Sequence, residues 1–158
     1  MKLSVIIVNY NVTQLLRRCL LSLQKYIREV EYEIIVIDNA STDPSWQELI
    51  TEFPDIHFIS SETNGGFSKA NNQAIQTAKG EYILLLNPDT EFEGFYMKEL
   101  LDFADAQPSF GCLGVRMHDA EGNFCLKVSA QFRICSIRLK NCLPILKRTI
   151  QNPITETI

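Results

Sequence analysis

Apolar and polar positions fall into blocks along this chain, and the blocks have two different periods. Residues 3–8 (Leu-Ser-Val-Ile-Ile-Val), 34–37 (Ile-Ile-Val-Ile) and 83–86 (Ile-Leu-Leu-Leu) are short runs dominated by branched aliphatics. Such runs, bounded by polar residues or by Gly and Pro, predict strands buried on both faces. Between the first two, Leu16, Leu20, Leu23 and Ile27 recur at helical spacing, widened by Leu15, Cys19 and Tyr26, with Arg17, Arg18, Gln24 and Lys25 opposite. Thr13 is placed to cap that helix. Asp43-Pro44 opens a second helix reaching about Phe53, since Pro suits a first turn and Asp43 reads as its cap. Residues 56–60 predict a short third strand. A third helix, from Phe67 to about Lys79, packs through Ala70, Ala74, Ile75 and Ala78 and is closed by Gly80. A fourth, from Phe95 to about Ala106, turns Leu100, Leu101 and Phe103 inward. Residues 110–117 predict a fifth strand, followed by a hairpin-like turn at 119–123 and a weaker strand to about Ser129. Strand and helix alternate four times, so the expected fold class is α/β, a mostly parallel sheet with helices on both faces.

Composition changes this picture little, but charge adds something. The chain has 158 residues, 46% hydrophobic and 22% charged, enough for one domain with a real core. No apolar run approaches the roughly 20 residues of a membrane span, and a strand pattern in the first ten positions leaves no room for a signal peptide. Five cysteines at irregular spacing without a C-x-x-C argue against a disulfide framework or a zinc site and suit a reducing, cytoplasmic setting. His57 and His118 have no second ligand at metal spacing. Of the 19 acids, 18 lie in the first 121 residues, whereas 122–155 hold none and carry Lys127, Arg133, Arg138, Lys140, Lys147 and Arg148. The body is acidic and the tail basic.

Candidate chemistry gathers where predicted strands end. Asn9-Tyr10, Asp38-Asn39 and Asn87-Pro88-Asp89 each follow an apolar run. Asn-Pro-Asp-Thr is good turn chemistry, Asp43 reads as a helix cap rather than a ligand, and capping is the alternative to a binding role for Asn64 and Asn71. Parallel strands share one carboxyl edge, however, and ligands of open α/β sheets bind along that edge. Three such clusters predict one crevice. No G-x-G-x-x-G follows the first strand, no G-x-x-x-x-G-K-[ST] exists and no G-x-S-x-G occurs, so dinucleotide, P-loop and hydrolase-elbow readings fall away. The remaining chemistry is carboxylate-based. A lone Asp repels a diphosphate unless a hard divalent cation, Mg²⁺ or Mn²⁺, lies between them. Asp38 is suited to accept hydrogen bonds from a base or ribose, and Asn64-Gly65-Gly66 lets backbone approach a ligand.

Four segments carry a resemblance: Ser4-Val-Ile-Ile-Val-Asn-Tyr-Asn11, Val36-Ile-Asp-Asn-Ala-Ser-Thr-Asp43, Asn64-Gly-Gly-Phe-Ser-Lys-Ala-Asn-Asn72 and Leu84-Leu-Leu-Asn-Pro-Asp-Thr90. In order and spacing they resemble the inverting family 2 glycosyltransferases of GT-A (Rossmann-like) fold, and the Asn-Pro-Asp and Gly-Phe-x-x-Ala-Asn-Asn segments look most like rhamnosyltransferase-type members acting on cell-surface polysaccharide. The resemblance implies a nucleotide-diphospho-sugar donor and a saccharide or lipid-linked acceptor, with no nucleic-acid partner. It implies that Asp38 holds the base, Asn9 and Tyr10 line the nucleotide pocket, and Gly66 and Asn71 follow the ribose and diphosphate. Asn87-Pro88-Asp89 stands where the family has Asp-x-Asp, so Asp89 is the implied metal ligand for Mg or Mn and Asn87 a weaker, outer partner.

The resemblance covers residues 3 to about 120. Inverting transfer needs a general base, and the acid expected after the central strand and its hairpin has no counterpart here: Asp119 and Glu121 come too early, and 133–150 hold no acid. The expected division is a nucleotide-sugar-binding domain over 1–129 and a basic tail over 130–158, with the C-terminal part of the fold incomplete, as in a truncated reading frame or a non-catalytic remnant that still binds nucleotide sugar. In the tail, Ile134, Ile137 and Leu139 with Arg138 and Lys140 read either as a basic amphipathic helix for the inner face of an anionic membrane or as a solvated end. A sugar-phosphate nucleotidyltransferase is a third rival, but residues 9–13 lack its Gly-rich, Arg-bearing loop.

Overall fold

The computed structural model describes residues 1–107, 112–113, 115–116, 135–138 and 145–147. In chain order the elements are β1 (Leu3–Asn9), α1 (Thr13–Tyr26), β2 (Tyr32–Asp38), a 3-10 turn (Pro44–Gln47) leading into α2 (Glu48–Glu52), β3 (His57–Ser60), α3 (Phe67–Thr77), β4 (Tyr82–Leu86), α4 (Met97–Asp105), β5 (Cys112–Leu113), β6 (Val115–Arg116), β7 (Cys135–Arg138) and β8 (Ile145–Lys147). A six-stranded sheet runs in the order β3-β2-β1-β4-β8-β5. Its first four strands are parallel, and β8 is antiparallel to both β4 and β5. The expected α/β sheet is therefore present, mostly parallel, with β1 at its centre.

The apolar runs become strands because both faces of the sheet are covered. On one face Leu3, Val5 and Ile7 of β1 join Leu16, Leu20 and Leu23 of α1, Leu49 of α2, and Met97, Leu100 and Leu101 of α4. On the other, Ile6 and Val8 join Ile35, Ile37, Ile83 and Leu85 against Ala70, Ala74 and Ala78 of α3. Successive residues of β1 thus feed opposite cores, as the period of two requires. At about 1.5–3 kcal/mol for each large aliphatic side chain buried, this sandwich is the main stabilising term.

Several expectations are corrected. The second helix is not continuous: Pro44–Gln47 is 3-10 and only Glu48–Glu52 is α. Thr13 does not cap α1; the cap residue is Val12 without a side-chain bond, and Thr13 Oγ1 instead accepts from Ser45 Oγ at 3.0 Å. Gly80 does not close α3, whose cap is Ala78. It is needed for close approach, because a Cβ there would lie 2.4 Å from Ser4 N. Phe103 is 37% exposed rather than inward. The buried stripe of α4 runs through Met97, Leu100, Leu101 and Ala104, and position 103 falls beside it. The single fifth strand over 110–117 is divided between two sheets, with β5 on β8 and β6 on β7. The amphipathic helix weighed for 134–140 is not formed, since Cys135–Arg138 is a strand parallel to β6. A short stretch with a β-branched residue gains more from ladder bonds than from an isolated helix of that length. The basic segment also supplies β8, between β4 and β5 in the main sheet. The turn at 119–123, with Asp119 and Glu121, and the weaker strand to Ser129 lie outside the described residues.

Candidate functional site: the carboxyl edge of the parallel strands

The parallel register carries the ends of β1 and β2 to one level, with Asn9 opposite Asp38 and Asp38 opposite Ser60. On the other side of β1, Ile7 pairs with Leu86, so Asn87 emerges at the same edge. The three polar clusters read from the sequence therefore follow adjacent strands on a single rim.

Asp38 is the centre of this rim. It is 2% exposed, and its carboxylate is gripped from several directions. Oδ1 accepts from Asn9 Nδ2 at 2.8 Å and from Ser41 Oγ at 2.5 Å, and Oδ2 accepts from the Ser41 amide at 2.9 Å. Asn9 is fully buried, and its Oδ1 has no hydrogen-bond partner among the described residues. An unsatisfied buried acceptor costs about 1–3 kcal/mol, which marks this corner as built for something besides folding. A second knot lies alongside: Asn11, at φ 56°, accepts through Oδ1 from the amides of Thr42 and Asp43 at 2.8 and 3.1 Å. Asp43 caps the 3-10 turn as expected, accepting from the Ser45 amide and hydroxyl at 2.9 and 2.6 Å, and those bonds hold its carboxyl below the usual range. A groove of about 340 Å³ opens beside Asp38, walled by Ala40, Ser41, Thr42 and the largely buried Trp46.

The next loop joins the rim through amides. Asn39 Nδ2 donates to Asn64 Oδ1 at 2.8 Å, and Asn39 Oδ1 accepts from the Gly65 amide at 3.1 Å. Asn64 Oδ1 also accepts from the Gly66 amide at 3.0 Å, so Asn64 shapes the turn. Gly66 has φ 81° with open space where a Cβ would stand, and it begins α3. A second groove, about 300 Å³, lies between this loop and β3, lined by Asn39, Ser60, Gly65, Lys69 and Gln73. Asn71 is buried within α3 and donates to Phe67 O at 2.9 Å, one turn back. Tyr10 is 46% exposed. Of the expected binding residues only Asp38 lines either groove; Asn9 stands behind it, and Tyr10, Gly66, Asn71, Asn87 and Asp89 line neither.

At Asn87-Pro88-Asp89-Thr90 the turn and the site coincide. The Thr90 amide donates to Asn87 O at 3.2 Å, closing a turn with Pro at its first corner. Ser22 Oγ of α1 accepts from the Phe92 amide at 3.0 Å, tying the following chain to the core. That anchored turn holds Asp89 out: it is exposed and makes no hydrogen bond or ion pair among the described residues. No group of three or more His, Cys, Asp or Glu is placed to hold a metal by protein atoms alone, again among the described residues. Mg²⁺ and Mn²⁺ commonly take one or two carboxylates and leave the remaining positions to substrate phosphates and water. A free carboxylate on a fixed turn fits that chemistry.

Sequence reading gave Ser41 no role. Ser41 stands three residues after Asp38, the spacing at which a hydroxyl and its amide fold back on an Asp side chain, so a local signal existed. Asn39 belongs to the Asp38-Asn39 cluster of the sequence reading, but its pairing with Asn64 joins residues 25 apart and had no local signal.

A family model described as Glycosyl transferase family 2 matches residues 4–154. The chain belongs to that family. It is 33% identical over 113 residues to the poly(ribitol-phosphate) beta-N-acetylglucosaminyltransferase TarS of Staphylococcus aureus, a match over 69% of this chain and 20% of that protein. It is 26% identical over 132 residues to the N-acetylglucosaminyl-diphospho-decaprenol L-rhamnosyltransferase of Mycobacterium tuberculosis, covering 77% of this chain and 43% of that one. The crystal structure of S. aureus TarS 1-349 superposes with a TM-score of 0.73 at 26% identity, over 93% of this chain and 47% of that chain. The same protein in complex with UDP superposes at 0.68 and 31% identity, over 78% of this chain and 37% of that one. The fold of this family 2 chain is thus GT-A-like, and the chain spans less than half the length of each of these relatives.

Proposed function

We propose that this chain is the donor-binding part of an inverting glycosyltransferase that moves a sugar from a nucleotide-diphospho-sugar to a cell-surface polysaccharide or lipid-linked acceptor. The observation that carries the reading is the rim itself: a buried Asp38 carboxylate beside an Asn9 acceptor and an Asp89 carboxylate that have no partner among the described residues, Asp89 being held out on the next strand but one. In this reading Asp38 accepts from the base, and Asn9 and Ser41 fix its orientation before the ligand arrives. Tyr10 borders the nucleotide. Gly66 and Asn71, at and just inside the start of α3, lie along the ribose and diphosphate, where helix amide groups favour phosphate. Asp89, with Asn87 as an outer partner, holds a divalent cation, which when bound offsets the charge that grows on the leaving diphosphate. The general base is left unassigned. The donor sugar we propose is rhamnose, on the Asn87-Pro88-Asp89 and Gly66-Phe67 segments and the rhamnosyltransferase relative.

Titration calorimetry of the chain with nucleoside diphosphates, with and without Mn²⁺, tests the site. Binding that strengthens with Mn²⁺ and loses that gain in Asp89→Ala is expected. Binding absent, or indifferent to metal and to Asp89, sinks the assignment. Turnover of a nucleotide-rhamnose donor separates an active transferase from a binding-only chain. An acceptor carried on lipid places the work at the cytoplasmic face of the membrane. No helix among the described residues is long and apolar enough to cross one, so the contact we propose is peripheral, through the six cations of 122–155. Pelleting with anionic against neutral vesicles checks it.

A further inference from the structure

The turn that carries Asp89 is held from one face of α1. Arg18, Cys19, Ser22 and Tyr26 fall on that face at helical spacing, and they meet successive parts of residues 87–95. Cys19 Sγ donates to Asn87 O at 3.9 Å, and Arg18 Nε pairs with Glu91 Oε1 at 3.2 Å. Ser22 Oγ accepts from the Phe92 amide at 3.0 Å, and the rings of Tyr26 and Phe95 meet edge to face with centroids 5.3 Å apart. Asp89 therefore stands between two attachments, one at Asn87 and one at Glu91 and Phe92. We infer that Ser22 is the positioning residue for Asp89, and that the bond it accepts from Phe92 governs how well the turn takes a divalent cation. The inference rests on the reading that Asp89 holds such an ion.

The attachments are unequal. Arg18 and Glu91 are both exposed, and an exposed ion pair is worth little. A thiol is a weak donor. The Phe92 ring is buried in the core, but apolar burial has no direction and leaves the chain free to slide or rotate. The Ser22 bond is both directional and buried. Its hydroxyl hydrogen goes back to Cys19 O at 2.7 Å, which turns the oxygen lone pairs toward the neighbouring segment. Phe92 lies in no helix or strand, so Ser22 gives its amide the partner that secondary structure would otherwise supply. Serine is a poorer helix residue than the leucines around it, and this bond explains its place in a buried stripe. Asp89 is three residues back along the chain. Among the described residues no cluster of three or more acidic, His or Cys side chains could share the ion. The ion would depend on one carboxylate with phosphate and water, so a displacement of about 0.5 Å at that carboxylate is enough to weaken it.

Calorimetry of UDP with and without Mn²⁺, on the full 158-residue chain and its variants, tests this. Ser22→Ala is expected to shrink the Mn²⁺-dependent gain from roughly ten-fold to about three-fold or less, the size of one net hydrogen bond, with metal-free UDP affinity unchanged. Ser22→Thr, which keeps the hydroxyl, restores the gain. Tyr82→Phe removes one hydrogen bond at the far rim and keeps the full gain, which separates positioning from a general loss of stability. A full gain in Ser22→Ala overturns the inference, as does a gain lost equally in Tyr82→Phe. If Ser22→Ala fails to fold, the wild type still decides. By linkage, a cation favoured by the Ser22–Phe92 bond must in turn stabilise that bond. Mg²⁺ with UDP should then slow hydrogen exchange at the Phe92 amide about three-fold or more beyond UDP alone, and an unchanged rate overturns the inference. Asp89→Ala distinguishes the two levels. If it keeps the Mn²⁺ gain, Asp89 does not hold the ion and the parent reading falls as well. If it loses the gain while Ser22→Ala keeps it, only the inference falls.

Discussion

The two rims of the same parallel sheet treat their polar groups in opposite ways. At the amino rim Lys2, Glu33, Glu81 and Asp105 are tied to partners. Lys2 Nζ bridges Glu81 at 2.9 Å and Asp105 at 2.8 Å, and the Tyr82 hydroxyl donates to the same Asp105 oxygen at 2.7 Å. Ser4 Oγ donates to Glu33 at 2.6 Å and accepts from the Gly80 amide at 2.8 Å. Partial burial pulls the Lys2 ammonium down, but its bonds to Asp105 and Glu81 outweigh that and leave it above an ordinary lysine. Burial, then the bond to Asp105, pushes the Tyr82 hydroxyl up to about 12. At the carboxyl rim, among the described residues, Asn9 Oδ1 is buried without a partner and Asp89 makes no hydrogen bond or ion pair. One rim is closed for stability. The other keeps valences open, which is where ligand chemistry belongs.

If that contrast is right, mutations at the two rims separate stability from binding. The largest effect is expected for Asp38→Ala, which strands three donors in a closed corner and removes the acceptor we propose for the base. Calorimetry should show nucleotide affinity down about 100-fold, and urea denaturation a loss of about 2–4 kcal/mol. Next is Gly80→Ala at the opposite rim, where the new methyl meets backbone of β1 at 2.4 and 2.6 Å. It should cost about 2–3 kcal/mol by overpacking and leave nucleotide affinity in the folded protein unchanged. A matching loss of affinity would show that the rims are not separable.

Asp89→Ala sharpens the contrast from the other side. Its carboxylate is exposed and has no bonding partner among the described residues, so urea midpoints should shift by less than about 0.5 kcal/mol, while the roughly ten-fold gain expected from Mn²⁺ disappears. The smallest effect is Tyr82→Phe, at about 1 kcal/mol for one hydrogen bond. It carries a pH signature with a definite sign. The folded pKa of Tyr82, about 12, lies above the ordinary 10.0, so its contribution is complete below pH 10 and is lost as pH climbs from there through about 12. Denaturation midpoints should fall over that alkaline window in the wild type and fall less steeply in Tyr82→Phe.

Much of this was written in the pattern of the chain. β1, β2 and β4 are uninterrupted aliphatic runs because helices cover both sheet faces, and a run of that kind has few other ways to hide. Asp38, Asn9 and Asp89 were legible as carboxyl-edge residues because parallel strands must end on the same side. The short segments after Asp105 were less legible. Strands of two to four residues, such as Cys112–Leu113 and Ile145–Lys147, exist through the neighbours they pair with rather than through their own period.

By itself, then, the order of residues determined the alternation of strand and helix, the common edge and the chemistry carried to it, since these follow from local periodicity and chirality. Only the folded arrangement decided that Asn9 meets Asp38 from 29 positions earlier, that Gly80 is required by a backbone 76 positions earlier, and that a strand from the basic segment lies against β4. The reason is distance along the chain. Hydrogen-bond saturation and close approach depend on atoms from remote segments meeting within a few tenths of an ångström, and no local pattern records such meetings.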